Sequence, residues 1–392
     1  MRTRAGARWM FPIVVAGAVA AATISASGAS AGAEAGAPGR YIVVFEQAAG
    51  SASVESASRD VVAAGGKVEH RYRFALQGFS AELPAAAVAS LRADPDVVSV
   101  EADTTITTRT TQPNPPSWGL DRVDQRTLPL NHAYGYTTTG RAVTAYVVDT
   151  GIRTTHTDFG GRAVEGYTAV ADGRGAQDCN GHGTHVAGTI GGTTHGVAKQ
   201  VRLVAVRVFD CTGSGSTSAV IAGIDWVAGH HQPGRPAVAN LSLGGSPSTT
   251  LDAAVQRVIA DGVTLVAAAG GSASNACNFS PARVPPALTV GASTPADARA
   301  SSSNVGPCVD LFAPGTSITS AWHTSDTATA TLSGTSMAAA HVTGVAARYL
   351  QADPSAPPAT VHGGLVRSAT TGVLRDVGAG SPNRLLFMAP GR

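Results

Sequence analysis

The sequence predicts an α/β protein: a doubly wound parallel sheet preceded by a small ferredoxin-like α+β unit. Two patterns predict it. Beyond Trp118, continuous apolar runs alternate with helical stretches, which implies parallel strands covered on both faces. Between Arg40 and Asp103 the runs are short and their order is β-α-β-β-α-β, a split βαβ unit. Composition agrees, because 14% charged residues, 43% apolar residues and 46 glycines among 392 residues describe a compact chain of small side chains rather than a disordered one.

The first thirty-one residues read as a signal peptide. Arg2, Arg4 and Arg8 precede an apolar run from Met10 to about Ala22, and Ala29-Ser30-Ala31 offers a small-residue cleavage site. A membrane anchor is the rival reading, since no charge appears until Glu34. The second half of the segment is Ala, Ser, Gly and Thr, too weakly apolar for a bilayer centre. The mature protein is therefore expected to be soluble and secreted, with no membrane partner.

In the first unit, residues 40–103, strands are expected at Tyr41 to Phe45, Val68 to Phe74, Phe79 to Leu83 and Val97 to Val100. Helices fit at Ser53 to Ala64 and Ala85 to Ala93. Residues 104–117, rich in Thr, Pro, Asn and Gln, read as an exposed linker open to maturation cleavage. The second unit, residues 118–392, has buried-type strands at Ala142 to Val148, Leu203 to Val208, Ala237 to Leu243, Thr264 to Ala269 and Ala287 to Val290. Its helices are expected at Thr184 to Gly192, Ser218 to Gly229, Leu251 to Ala260 and Ser336 to Gln351. In such a fold the working cleft forms beyond the carboxyl ends of the strands.

A formal charge of +2, from 28 basic and 26 acidic side chains, excludes a field strong enough to hold nucleic acid. Cys179, Cys211, Cys277 and Cys308 are even in number, and export makes two disulfides the default, with three pairings open. No CxxC or histidine spacing supports zinc instead.

Three segments carry chemistry. Asp149 ends an apolar strand before Thr150-Gly151, a carboxylate at the carboxyl end of a strand that could also be ordinary turn chemistry. Asn180-Gly181-His182-Gly183-Thr184-His185 opens a small-residue helix, and its two histidines lack the acidic partner of a zinc-binding HExxH. Ser333-Gly334-Thr335-Ser336-Met337-Ala338 opens an Ala-rich helix, where Ser336 could be no more than an N-cap. Taken in chain order, Asp149, His182 and Ser336 match the subtilisin order of the hydrolytic triad. Ser336 would be the nucleophile, His182 the proton carrier and Asp149 the group that fixes the imidazole tautomer.

With these motifs, residues 118–390 resemble the subtilisin-like serine proteases of the proteinase K group, closest to aqualysin-type extracellular enzymes. Asn240-Leu-Ser-Leu-Gly-Gly245 adds to the likeness. Residues 40–103 resemble the inhibitory prosegment of the same enzymes, through Gly78-Phe-Ser-Ala-Glu-Leu-Pro84 and Val97-Val-Ser-Val-Glu-Ala-Asp103. The resemblance implies a secreted, monomeric serine endopeptidase of broad specificity with peptide and protein substrates, inhibited by its own prodomain. It implies that Gly213, Ser214 and Gly215 face Leu243, Gly244 and Gly245 across an extended substrate that inserts as an added strand. It implies the pairings Cys179 with Cys211 and Cys277 with Cys308. It also implies two structural calcium sites, one from the Pro285 and Ala287 carbonyls with Asp310, the other from Asp121, Asp124, Gln125 and Asn131.

Two departures stand out. Gly271 occupies the position at which the family has an Asn whose amide supplies half of the oxyanion hole; in a related subtilisin its loss costs about 10²–10³ in kcat. Ala339-Ala340 replaces the usual Thr-Pro, a change that keeps the helix continuous but loosens how Ser336 is held. An enzyme is therefore expected, with a non-catalytic peptide-binding protein on a protease scaffold as the alternative that Gly271 favours. A lipase or esterase is disfavoured because no GxSxG elbow surrounds Ser336.

Overall fold

The computed structural model describes residues 38–103 and 110–389. The expected signal peptide lies outside the described residues. The chain divides into two compact units, Met1–Ile106 and Thr107–Arg392.

The first unit runs β1 (Gly39–Phe45), α1 (Gly50–Ala63), β2 (Lys67–Tyr72), β3 (Gln77–Leu83), α2 (Ala85–Ala93) and β4 (Val97–Ala102). Its antiparallel sheet has the order β2-β3-β1-β4. Alternation on the strands sends Tyr41, Val43 and Phe45 of β1 and Phe79, Ala81 and Leu83 of β3 into one core. The helices complete it with Val54, Ala57 and Val61 from α1 and Val88 and Leu91 from α2, at helical spacing.

The second unit opens with β5 (Thr110–Pro113), α3 (Trp118–Val123), β6 (Ala133–Tyr136) and β7 (Thr144–Asp149). There follow β8 (Ala163–Thr168), α4 (His182–Gly191), β9 (Arg202–Arg207), α5 (Thr217–His230), β10 (Ala237–Leu241), α6 (Thr249–Ala260) and β11 (Thr264–Ala268). The rest is β12 (Leu288–Ser293), β13 (Leu311–Pro314), β14 (Ile318–Ala321), β15 (Thr329–Leu332), α7 (Thr335–Ala352), α8 (Pro358–Ser368), β16 (Thr370–Thr371) and β17 (Arg384–Leu385). The large sheet has the order β16-β17-β13-β12-β11-β10-β7-β9-β8, parallel from β8 through β17, with β16 antiparallel at the edge.

Period-2 alternation makes this sheet doubly wound. Ala145 and Val147 of β7 join the core formed with α4 and α7. Tyr146 and Val148 join the opposite core, under α5 and α6. From β7 the chain goes to one side for β8 and β9 and to the other for β10 through β13. The strand order therefore reverses at β7, which puts a crevice beyond its carboxyl end.

The linker differs from expectation. Part of the expected linker is strand: Thr110–Pro113 pairs antiparallel with β6, so ordered structure in this unit begins ahead of Trp118. Both disulfides join the pairs that the resemblance implied, Cys179 with Cys211 and Cys277 with Cys308. Among the described residues no helix is long and apolar enough to cross a membrane.

Candidate active site

Asp149 is the last residue of β7, with no exposed surface. A bare buried carboxylate is costly unless hydrogen-bonded or paired, and this one is both. Its Oδ1 accepts the Thr150 N–H at 2.7 Å, and Oδ1 and Oδ2 lie 2.7 and 2.9 Å from His182 Nδ1. His182 is the first residue of α4. That helix approaches β7 closely because Gly183 has no side chain: a Cβ there would sit 2.1 Å from the Gly151 carbonyl. Burial disfavours the imidazolium, but the charge and hydrogen bond of Asp149, and after them the charge of Asp178, outweigh it and raise the His182 pKa above its ordinary value.

Ser336 lies in the first turn of α7, whose N-cap is Gly334, so Ser336 is not the cap residue. Its backbone N–H is among those left free at a helix start, where negative charge is favoured. Its hydroxyl donates to the Ser242 carbonyl at 3.3 Å, while the Ser242 hydroxyl donates to the Ser336 carbonyl at 3.0 Å. Ser242 follows β10, the neighbour of β7, so Asp149 and Ser336 are held at the carboxyl ends of adjacent strands. Among the described residues Ser336 makes no hydrogen bond to His182; such contacts are often long before substrate binds. Ala339 and Ala340 are fully buried and α7 is unbroken over its 18 residues.

A cavity of about 320 Å³ opens beside Ser336, lined by Leu243, Gly244, Ala268, Gly271 and Phe279 among others, with no charged side chain in its wall among the described residues. A Cβ built on Gly271 meets nothing within 4 Å. Gly213, Ser214 and Gly215 lie outside this wall; Gly213 is beside Asn180, two residues before His182. Gly245 departs from its expected role as an open edge, because its N–H and C=O are both bonded to Ser280, at 3.0 and 3.2 Å. Leu243 and Gly244 line the cavity.

Two residues that sequence patterns did not single out organise the loops. Asn304 holds residues 269–274 through its side-chain amide. Asp178 holds the entry to α4. Neither lies in a motif with a chemical signature, although Asp178 stands four residues before His182 in a run of helix-capping residue types.

Residues 140–380 match the Subtilase family, and residues 40–109 match Peptidase inhibitor I9. The chain belongs to the subtilase family. This subtilase is 54% identical over 369 residues to the extracellular serine proteinase of Thermus sp. (strain Rt41A), with 89% of each chain covered. It is 49% identical over 363 residues to the alkaline serine exoprotease A of Vibrio alginolyticus, covering 89% of this chain and 67% of that one. Among solved structures, a cold adapted subtilisin-like serine proteinase matches at 54% identity with a TM-score of 0.67, over 70% of this chain and 98% of its own. The subtilase is accordingly a serine protease with an inhibitor-type propeptide, and the peptide-binding alternative is not favoured.

The residues expected to hold calcium differ between the two sets. Asp121 and Asp124 are 3% and 6% exposed; Asp121 Oδ2 accepts the His132 N–H at 2.8 Å and Asp124 Oδ2 the Gly135 N–H at 2.7 Å. Asp121 Oδ1 is buried with no hydrogen-bond partner among the described residues. Gln125 Oε1 accepts the Asn131 N–H at 3.1 Å, and Asn131 Oδ1 the Ala133 N–H at 3.1 Å. Buried carboxylates with amide oxygens in one loop suit a hard cation. At the other set, Asp310 Oδ2 accepts the Thr289 N–H at 2.8 Å and Oδ1 lies 3.3 Å from His362 Nε2. Both oxygens of Asp310 thus face nitrogen in this structure.

Proposed function

We propose that this subtilase hydrolyses peptide bonds through Ser336, His182 and Asp149, with broad specificity leaning to apolar side chains, as an exported enzyme. The observation that carries the reading is the fully buried Asp149 bonded to His182 Nδ1 at the reversal of strand order, with Ser336 in the first turn of α7 tied to Ser242 beyond the neighbouring strand β10. Asp149 accepts from Nδ1–H, which leaves Nε2 as the base. Ser336 Oγ attacks the carbonyl carbon as His182 takes its proton, and Asp149 stabilises the imidazolium. The leaving amine receives that proton, and water then hydrolyses the acyl-enzyme by the same route.

The Ser336 N–H meets the developing oxyanion, but Gly271 offers no side-chain donor, so turnover is reduced rather than abolished. Leu243 and Gly244 on one side and Gly213 to Gly215 on the other carry the substrate backbone, and the uncharged cavity receives the side chain before the scissile bond. Asp121, Asp124, Gln125 and Asn131 hold a calcium ion that, when bound, balances the two buried carboxylates. The enzyme works as a monomer, and residues 104–117 contain the maturation cut.

A fluorophosphonate probe tests the core of this reading, since it reports Ser336 nucleophilicity without needing repeated turnover. Labelling that maps to Ser336 and disappears in Ser336→Ala and His182→Ala is expected. Labelling elsewhere, or hydrolysis by the Ser336→Ala variant, overturns it.

A further inference from the structure

We propose that Asp178 is a positioning residue for His182, holding the imidazole against Asp149 by tying the entry of α4 to the end of β7. The proposal rests on the assignment of His182 as the base.

A helix start leaves backbone N–H groups that need acceptors. The N-cap residue of α4 is Gly181, at φ 113°, which has no side chain to supply one. Asp178 supplies it from three residues upstream. Its Oδ2 accepts the Thr184 N–H at 2.9 Å and the Thr184 hydroxyl at 2.6 Å. Its Oδ1 accepts the N–H groups of Asn180 and Gly181 and the Thr150 hydroxyl, each at 2.9 Å.

The last of these bonds takes the arrangement beyond a helix cap. Thr150 is the neighbour of Asp149: its N–H donates to Asp149 Oδ1 at 2.7 Å, and its Oγ1 accepts the Gly183 N–H at 2.9 Å. The residues flanking His182, Gly181 and Gly183, are therefore bonded to Asp178 and to Thr150. From Asp149 through Thr150, Asp178 and α4 to His182 and back to Asp149, the bonds close a ring. The position of His182 relative to Asp149 is fixed twice, once by their direct contact and once through this ring.

Charge makes a second contribution. Asp149 and Asp178 both favour the imidazolium of His182, while His182 and His185 repel one another when charged. Only a carboxylate does all of this. An amide at 178 would turn a donor toward one of the donors that the two oxygens now accept.

The test uses the full chain with Asp178→Asn, Thr150→Val and Thr150→Ser. Folding is checked by circular dichroism, and kcat, KM, the pH profile and the rate of fluorophosphonate labelling are measured well below each melting temperature. Asp178→Asn is expected to lower kcat and the labelling rate about ten- to hundredfold with KM unchanged, and to move the acid limb of kcat/KM to lower pH. Thr150→Val, which opens the ring at its other joint, should reproduce the fall in kcat, and Thr150→Ser, which keeps the hydroxyl, should restore it. A folded Asp178→Asn variant with a lower melting temperature but unchanged kcat and acid limb reduces Asp178 to a helix cap and overturns the proposal. If Asp178→Asn does not fold, wild-type kcat in Thr150→Val overturns it instead. Failure of the underlying assignment is read separately, from activity that survives His182→Ala.

Discussion

Asn304, with no exposed surface, donates its side-chain amide to the Ala269 carbonyl over 2.8 Å. Its Oδ1 accepts the N–H groups of Ser272 and Ser274 at 3.0 and 3.1 Å. The loop that carries Gly271 is thereby pinned on both sides of it by groups other than Gly271 itself. A side chain at 271 has open space and needs no backbone change. Gly271→Asn should therefore raise kcat about 10²–10³, equivalent to roughly 2.7–4 kcal/mol of transition-state stabilisation, with little change in KM. Steady-state hydrolysis of a chromogenic peptide by both forms checks this, and equal kcat values would show that Gly271 does not limit turnover.

Calcium should raise the melting temperature through the Asp121 and Asp124 loop. Ligand at 100 times its dissociation constant stabilises by about 2.7 kcal/mol. Thermal unfolding in calcium and in chelator should differ, and Asp121→Asn should shrink the difference. Because both Asp310 oxygens already face nitrogen donors, calorimetric titration should find one strong site rather than two. A midpoint indifferent to calcium removes the site.

Acid should destabilise the fold between pH 6.5 and 4. Burial holds His185 and His341 down to about 4, against about 6.5 in the unfolded chain. In that window the unfolded state binds protons that the folded state refuses, so stability is complete above 6.5 and falls as pH drops toward 4. Each histidine accounts for up to roughly 3 kcal/mol. Asp158, lowered to about 2 although burial opposes it, because His195 and Thr194 hydrogen-bond to it, extends the loss below 4. His182 has the opposite sign, its contribution being complete below 6.5 and lost as pH rises through its raised value. Urea unfolding at pH 7, 5.5 and 4.5 should show the decline; a flat series would contradict it.

Residues 40–103, which have a core of their own, should inhibit the mature enzyme when added in trans. Suppression of peptide hydrolysis that saturates with concentration is expected. Full activity at a large excess of the folded segment would refute an inhibitory role.

Much of this was legible from one-dimensional patterns, because the central strands of a parallel sheet are continuous apolar runs. Ala-Val-Thr-Ala-Tyr-Val-Val leading to Asp149 is such a run, and so is the stretch that became β10. Edge elements escaped. Thr110–Pro113 is polar, and its strand character exists only through a partner some twenty residues on. Ala163–Thr168 is interrupted by Gly166 and carries a bulge in its pairing. In the site, Asp149, His182 and Ser336 announced themselves through side-chain chemistry at telling positions. Asp178 and Asn304 act by accepting backbone N–H groups, a role that depends on where loops pass one another and leaves little trace in spacing. The neighbour of Asp310 was hidden for the same reason: His362 arrives from a distant helix.

The pairing of β5 with β6 closes residues 114–132 into a loop, and the cation-suited side chains of Asp121, Asp124, Gln125 and Asn131 all lie on it. Leu120 and Val123 of the same loop belong to the core formed with α4 and α7, so loss of charge balance there loosens the polar strand β5 and that corner of the core together. A loosened, extended segment is the form of polypeptide that a protease cuts most readily. The working life of the enzyme would then be set by how often this clasp opens in the presence of its neighbours, a self-inflicted clock that runs faster with protein concentration and slower with every condition that keeps the loop shut.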